Sequence, residues 1–171
     1  GSALSIKDTV WQSDGSYNIT YRALIKNYGN STVNNVQLKD SLNTVFNLLT
    51  GASFKIIGTP IASDSSELRI NPDFNGASDV NLLIAEQSNL SAGRMDSVFF
   101  TVNVKTDGRL TPYLNRVCAR AVAGTDSLLD LSMNGLNPDP NGNNNPTELT
   151  EAEFTPVIIT SQGGELYVPE G

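Results

Sequence analysis

The chain has 171 residues, which suits one domain, and its 39% apolar content is enough to build a real core. A net charge of −7 carried by only 17% charged residues leaves no basic patch for nucleic acid and a surface made largely of Asn, Ser, Thr and Gly. Histidine is absent and Cys118 is the single cysteine, which excludes Ser-His-Asp and Cys-His catalysis, histidine-bound zinc and an internal disulfide.

Gly1 and Ser2 read as a cloning remnant ahead of a first strand at 3–11. Residues 16–27, SYNITYRALIKN, alternate with period two. Tyr17, Ile19, Tyr21, Ala23 and Ile25 form the expected core face, and Asn18, Thr20, Arg22, Leu24 and Lys26 the opposite one. Further strands are expected at 33–38, 53–61, 80–85, 94–105, 113–123 and 154–160. Between them stand turn signals such as Ser13-Asp14-Gly15, Asn75-Gly76, Ala92-Gly93 and Asp107-Gly108. Residues 40–49, DSLNTVFNLL, suit a helical turn or two capped by Asp40 or Ser41. Cys118, among apolar neighbours, reads as a buried structural thiol. Residues 161–171, SQGGELYVPEG, read as a linker with a glycine joint. No stretch is apolar and long enough to insert into a membrane. Short strands at this spacing without alternating helices predict an all-β fold: an immunoglobulin-like antiparallel β-sandwich of seven to nine strands over 3–160.

One long Asn/Asp/Pro-rich loop interrupts that pattern at 130–148, DLSMNGLNPDPNGNNNPTE. Its prolines and glycines oppose a helix or a paired strand, and an irregular loop of this length is costly to order. Asp139, Asn141, Asn143 and Asn145 offer oxygens at alternate positions, as calcium loops do, and Asp130 and Glu148 add carboxylates at the ends. These six are the candidate metal ligands and calcium the candidate cofactor, with a Kd of about 0.1–1 mM, as in extracellular modules. The glycine usual after the third ligand is replaced by Asn144, and more of the ligands are Asn than Asp. The competing reading is a turn-rich loop whose Asn side chains satisfy their own backbone. Asp64, Glu67, Asp73 and Asp79 lie in a second polar region read as solvated, and Asp96 and Asp107 need no special role. No carboxylate pair sits where burial would prepare it for catalysis, and a 7% aromatic content is low for stacking sugars, so no enzyme is expected.

The stretch GSYNITYRALIKNYGNSTVNNVQLKDSL resembles the opening of conserved repeat domains of bacterial surface proteins, where two core strands are joined through an Asn-Gly-Asn turn. Tyr17, Ile19, Tyr21, Asn27, Gly29, Asn30, Asn35, Val36, Leu38, Asp40 and Leu42 carry the match. The 130–148 loop followed by FTPVII is similar to the version in large Bacteroidetes cell-surface adhesins, including gliding-motility adhesins. LYVPEG resembles the start of the gliding-motility-associated C-terminal sorting domain of type IX secretion. The resemblance implies a stalk or spacer module of an exported adhesin, extracellular and outer-membrane-associated, with 161–171 leading to a sorting domain. Neighbouring domains of the same chain are its implied partners. A module that itself binds a glycan or surface ligand is the alternative, and the charge favours a monomer. In some related surface domains a Lys–Asn isopeptide joins the first and last strands. Lys7 is suitably placed for one, but FTPVIIT offers no Asn.

Overall fold

The computed structural model describes residues 1–47, 51–106 and 112–159. The linker expected at 161–171 and the Asp107-Gly108 turn lie outside them. Ten strands are described: β1 Ser2–Trp11, β2 Tyr17–Lys26, β3 Asn34–Lys39, β4 Ala52–Ala62, β5 Met95–Thr106, β6 Tyr113–Asn115, β7 Cys118–Ala123, β8 Asp126–Leu131, β9 Met133–Asn134 and β10 Thr155–Val157. They form a five-stranded sheet in the order β4-β5-β2-β1-β9, a three-stranded sheet β3-β7-β8 and a two-stranded sheet β10-β6. The fold is the expected all-β, sandwich-like arrangement of antiparallel sheets.

The alternation in β2 sets the layering. Tyr17, Ile19, Tyr21, Ala23 and Ile25 are all buried, as their spacing requires. With Val98, Phe100, Val102 and Val104 of β5 they pack against Val36 and Leu38 of β3 and Ala119 of β7. The Tyr21 and Phe100 rings stack at 5.4 Å, and Phe74 meets Phe100 edge-on at 5.6 Å. Leu24 departs from the pattern: it lies on the opposite face yet is 2% exposed, so the end of β2 is covered on both sides.

Three expected elements differ. Residues 80–85 form no strand. One bridge, Lys39–Asn81, joins them to β3 and another joins Leu83 to Ile70, and the Gln37 side chain replaces the ladder, donating to the Leu83 carbonyl at 2.7 Å and accepting from the Leu83 N–H at 3.0 Å. The expected 113–123 strand breaks at Arg116-Val117, where the chain leaves β10 (paired to β6) for β3 and β8 (paired to β7). Of the helical turns expected at 40–49, the described residues 40–47 show one 3₁₀ turn, Leu42–Thr44, behind Ser41, and 48–49 lie outside the described residues; the Ser41 side chain makes no cap bond there, and Asp40 is fully buried. Cys118 is only half-buried: Ala119, the next residue of β7, is the one that packs in the core. Gly1 and Ser2 are built into the fold: Ser2 opens β1, opposite Ile25.

Candidate functional site

The first part of the Asn/Asp-rich stretch is strand. Asp130 lies in β8, opposite Ala119, and β9 runs parallel to β1 with Ala3 opposite Met133. Asp130 is buried and its Oδ2 accepts from the Ser2 hydroxyl at 2.6 Å. Burial pushes its pKa up, against the Ser2 bond and the nearby Gly1 ammonium, which pull it down. The Ser132 hydroxyl accepts from the Val117 N–H at 3.0 Å, so its oxygen is also committed to the sheet. Asp130 is thus a clasp on β1 with Oδ2 committed to Ser2, and Glu151 of the turn that follows is near enough to add to its upward shift.

That turn runs from Asn137 to Glu151. The Asn137 side chain accepts from the Asp139 N–H at 3.1 Å. Asp139 is buried and accepts from Gly142 N at 3.1 Å and Asn144 N at 3.0 Å, one on each oxygen. Gly142 (φ 72) and Asn144 (φ 61) take the left-handed conformation that wraps the backbone around this carboxylate. Asn is the non-glycine residue that tolerates that conformation best, so Asn144 does here what glycine does in calcium loops. Asn143 N donates to Asn141 Oδ1 at 2.9 Å and Asn145 N to Asn143 Oδ1 at 2.7 Å, a ladder of side-chain turns. The Nδ2 groups of Asn141, Asn143 and Asn145 converge on half-buried Glu148 at 3.1–3.2 Å. Glu148 is a latch that holds each amide by its nitrogen end and leaves its oxygen toward the backbone of the turn.

Sequence reasoning missed Glu151. It closes a 3₁₀ turn, Leu149–Glu151, is 4% exposed, and accepts from Asn141 N at 3.3 Å through Oε1. Its Oε2 is buried with no hydrogen-bond partner. The only signal was its place three residues after Glu148, at the edge of the loop. Of the six expected ligands, the structure brings Asp139, Asn141, Asn143, Asn145 and Glu148 into one turn and leaves Asp130 on β8. Among the described residues no three Asp, Glu, Cys or His side chains converge closely enough to hold a metal by themselves.

The turn is electronegative. The two ion pairs among the described residues, Arg94–Asp96 and Lys105–Asp14, are elsewhere. Tyr28 feels the field: its hydroxyl pKa is raised, first by burial and then by Asp139, Glu151 and Asp130. The Gly1 ammonium donates to the Lys26 carbonyl at 2.9 Å and is attracted by Asp130 and Asp139, while burial lowers its pKa. A β-carbon on Gly1 would overlap Pro146 and crowd Pro138, so the turn packs directly on the chain at that point.

The second polar region is built differently. Asp79 accepts from Asn71 Nδ2 at 2.9 Å and Asn81 N at 3.0 Å, and burial is outweighed, so its pKa is lowered. Glu67 binds the Ser91 N–H and hydroxyl at 2.6 and 2.8 Å, and buried Asp96 takes Ser66, Glu67 N and Arg94. Glu67, Asp79 and Asp96 are therefore internal staples with their oxygens spent, not solvated or idle groups as expected. Lys7 lies 4.9 Å over the Phe99 ring, on the side of the sheet away from the core.

One further buried group stands apart. Asp40 is fully buried and accepts from Asn115 Nδ2 at 2.9 Å, but its Oδ1 has no partner. Burial pushes its pKa up to about 7 against the Asn115 bond. The buried Tyr21 hydroxyl lies near Asn115 without full hydrogen-bond geometry.

No protein-family model matches this chain, and no curated protein matches it. A solved structure with some likeness is that of the full-length major pilin SpaD from Corynebacterium diphtheriae, at 16% identity and a TM-score of 0.43. The match covers 77% of this chain and 33% of the pilin chain, and at that similarity it assigns no function.

Proposed function

We propose that this chain is a non-catalytic, load-bearing module of an exported cell-surface adhesin of the gliding-motility kind, with its Asn-rich turn rigidified by calcium. The observation that carries the reading is the way β1 is held. It pairs with β2 along its length and with β9 on its other edge. The Leu4 carbonyl accepts from Gly135 N at 2.9 Å and from the buried Thr155 hydroxyl at 2.7 Å, and Ser2 is tied to Asp130. Tension on the start of the domain is therefore resisted by bonds to residues 130–155 as well as to the neighbouring hairpin strand. A spacer between domains needs this property and no chemistry. Neighbouring domains of the same chain are its partners in this reading, and it works outside the cell as a monomer. Among the described residues no helix is long and apolar enough to cross a membrane.

The test is single-molecule forced unfolding of the domain between two reference domains. Removing the Ser2 and Thr155 hydroxyls together should lower the unfolding force clearly. An unchanged force would end the load-bearing reading.

A specific feature favours the alternative, an adhesive module. Beside the Asn-rich turn lies a cleft of about 320 Å³, lined by Tyr28, Val33, Leu90 and Leu128, with Arg120 and Asn145 among its polar lining. A tight, saturable ligand on a glycan array, lost on Tyr28→Ala, would support that reading over the spacer.

A further inference from the structure

We infer that a calcium ion is held on the inner side of the 139–151 turn by Asp139 and Glu151, with Asn141 and Asn143 supplying neutral oxygens, and that Asp130 takes no part. This rests on the calcium reading above and assigns the site that reading leaves open.

Two independent observations support it. The first is the shape of the turn. Backbone N–H groups of residues 141, 142 and 144 reach the Asp139 and Glu151 carboxylates, so one short segment wraps both acids. Glu148 grips the amides of Asn141 and Asn143 by nitrogen, which fixes their carbonyl oxygens on the other side. Each of those oxygens accepts one backbone N–H and keeps a second lone pair. The second observation is Glu151 Oε2. A carboxylate oxygen buried without any donor is costly to leave so, and its sister oxygen already touches the turn. The other Asn/Asp-rich segment, around Asp79, has no counterpart to this oxygen: both Asp79 oxygens take donors, and no buried carboxylate oxygen in it lacks one.

Calcium fits the donor set better than zinc or magnesium. The set is all oxygen, mixes charged and neutral ligands and sits on an irregular loop. Calcium accepts about six to eight such oxygens in flexible geometry, including backbone carbonyls and water. Two carboxylates against a divalent ion balance charge without a third acid.

The experiment is terbium luminescence on the whole chain, excited through tyrosine, with calcium as competitor. Tyr28 senses the field of both acids and is the expected sensitiser. The wild type should give a saturable signal that calcium displaces. Glu151→Gln and Asp139→Asn should each weaken calcium by about tenfold or more, while Asp130→Asn should change it less than about threefold. Circular dichroism of each variant in chelator keeps unfolding separate from ligand loss. If Glu151→Gln, folded, binds calcium as tightly as wild type, this assignment is overturned, even though calcium binds. If the folded wild type shows no calcium-displaceable terbium at millimolar calcium, the calcium reading falls and this site with it.

Discussion

Asn115 and Asp40, 75 positions apart, meet in the core through a 2.9 Å hydrogen bond, and the other Asp40 oxygen has no partner at all. The pair joins the end of β3 to β6, which carries the last strand described. A carboxyl in this setting is held neutral over much of the acidic range, because its charged form has lost its water and gained one donor.

That raised pKa has a signed consequence. Burial pushes Asp40 up to about 7 in the folded state, against 3.8 for an ordinary aspartate. Between those values the folded state binds more protons than the unfolded state, so stability falls as pH rises from about 4 to 7 and levels above. The span corresponds to roughly 4 kcal/mol at 1.36 kcal/mol per unit. Asp130, also raised by burial, acts in the same direction. Asp79, lowered by its donors, acts oppositely and below pH 4. Urea titrations in chelator at pH 4.5 and 8 should show the domain more stable at the lower pH. Asp40→Asn should remove most of the difference; a slope that survives the substitution would place its origin elsewhere.

Calcium should raise the melting temperature, since a ligand bound only to the folded state stabilises by mass action. At about 5 mM calcium and a Kd near 0.1 mM the gain is roughly 2 kcal/mol. Asp139→Ala should erase most of it, and identical melting curves with and without chelator would count against any bound calcium. In limited proteolysis, cleavage within 137–151 should be slow in calcium and faster in chelator.

Ser2→Ala should destabilise by about 1.5–3 kcal/mol, because it strips a buried carboxylate of its short hydrogen bond. Ser2→Ala combined with Asp130→Asn should cost less than the two changes summed. Strict additivity in a double-mutant cycle would show that the two residues are uncoupled.

Leu24 separates the pattern from the fold. The alternation puts it with Arg22 and Lys26, yet it is buried. Leu24→Ala should cost about 2–5 kcal/mol, and Leu24→Asp should prevent folding by burying an unpaired charge. A Leu24→Asp variant that melts like wild type would mean that this end of β2 is open to solvent.

What the residues alone determined is what depends on nearest neighbours in the chain. Alternation marked two long inner strands at 16–27 and 94–105, and in 16–27 the core face as well, because a pleated strand sends successive side chains to opposite sides. Turn chemistry located Asp14-Gly15 and Asn75-Gly76, and the density of Asn, Asp and Pro in 130–148 marked a loop that needs tying down. What tertiary structure decided is where long-range partners replace local ones. Gln37 stands in for a ladder along 80–85, so that alternating segment never becomes a strand. Asp130 and Ser132, indistinguishable in sequence from loop oxygens, are spent on Ser2 and Val117 because β8 and β9 are drawn in beside β7 and β1. Glu151, which no local pattern singled out, is a buried carboxylate of the turn with one oxygen on Asn141 N and the other without a partner. Burial and pairing across many tens of residues are properties of packing, and no local spacing encodes them.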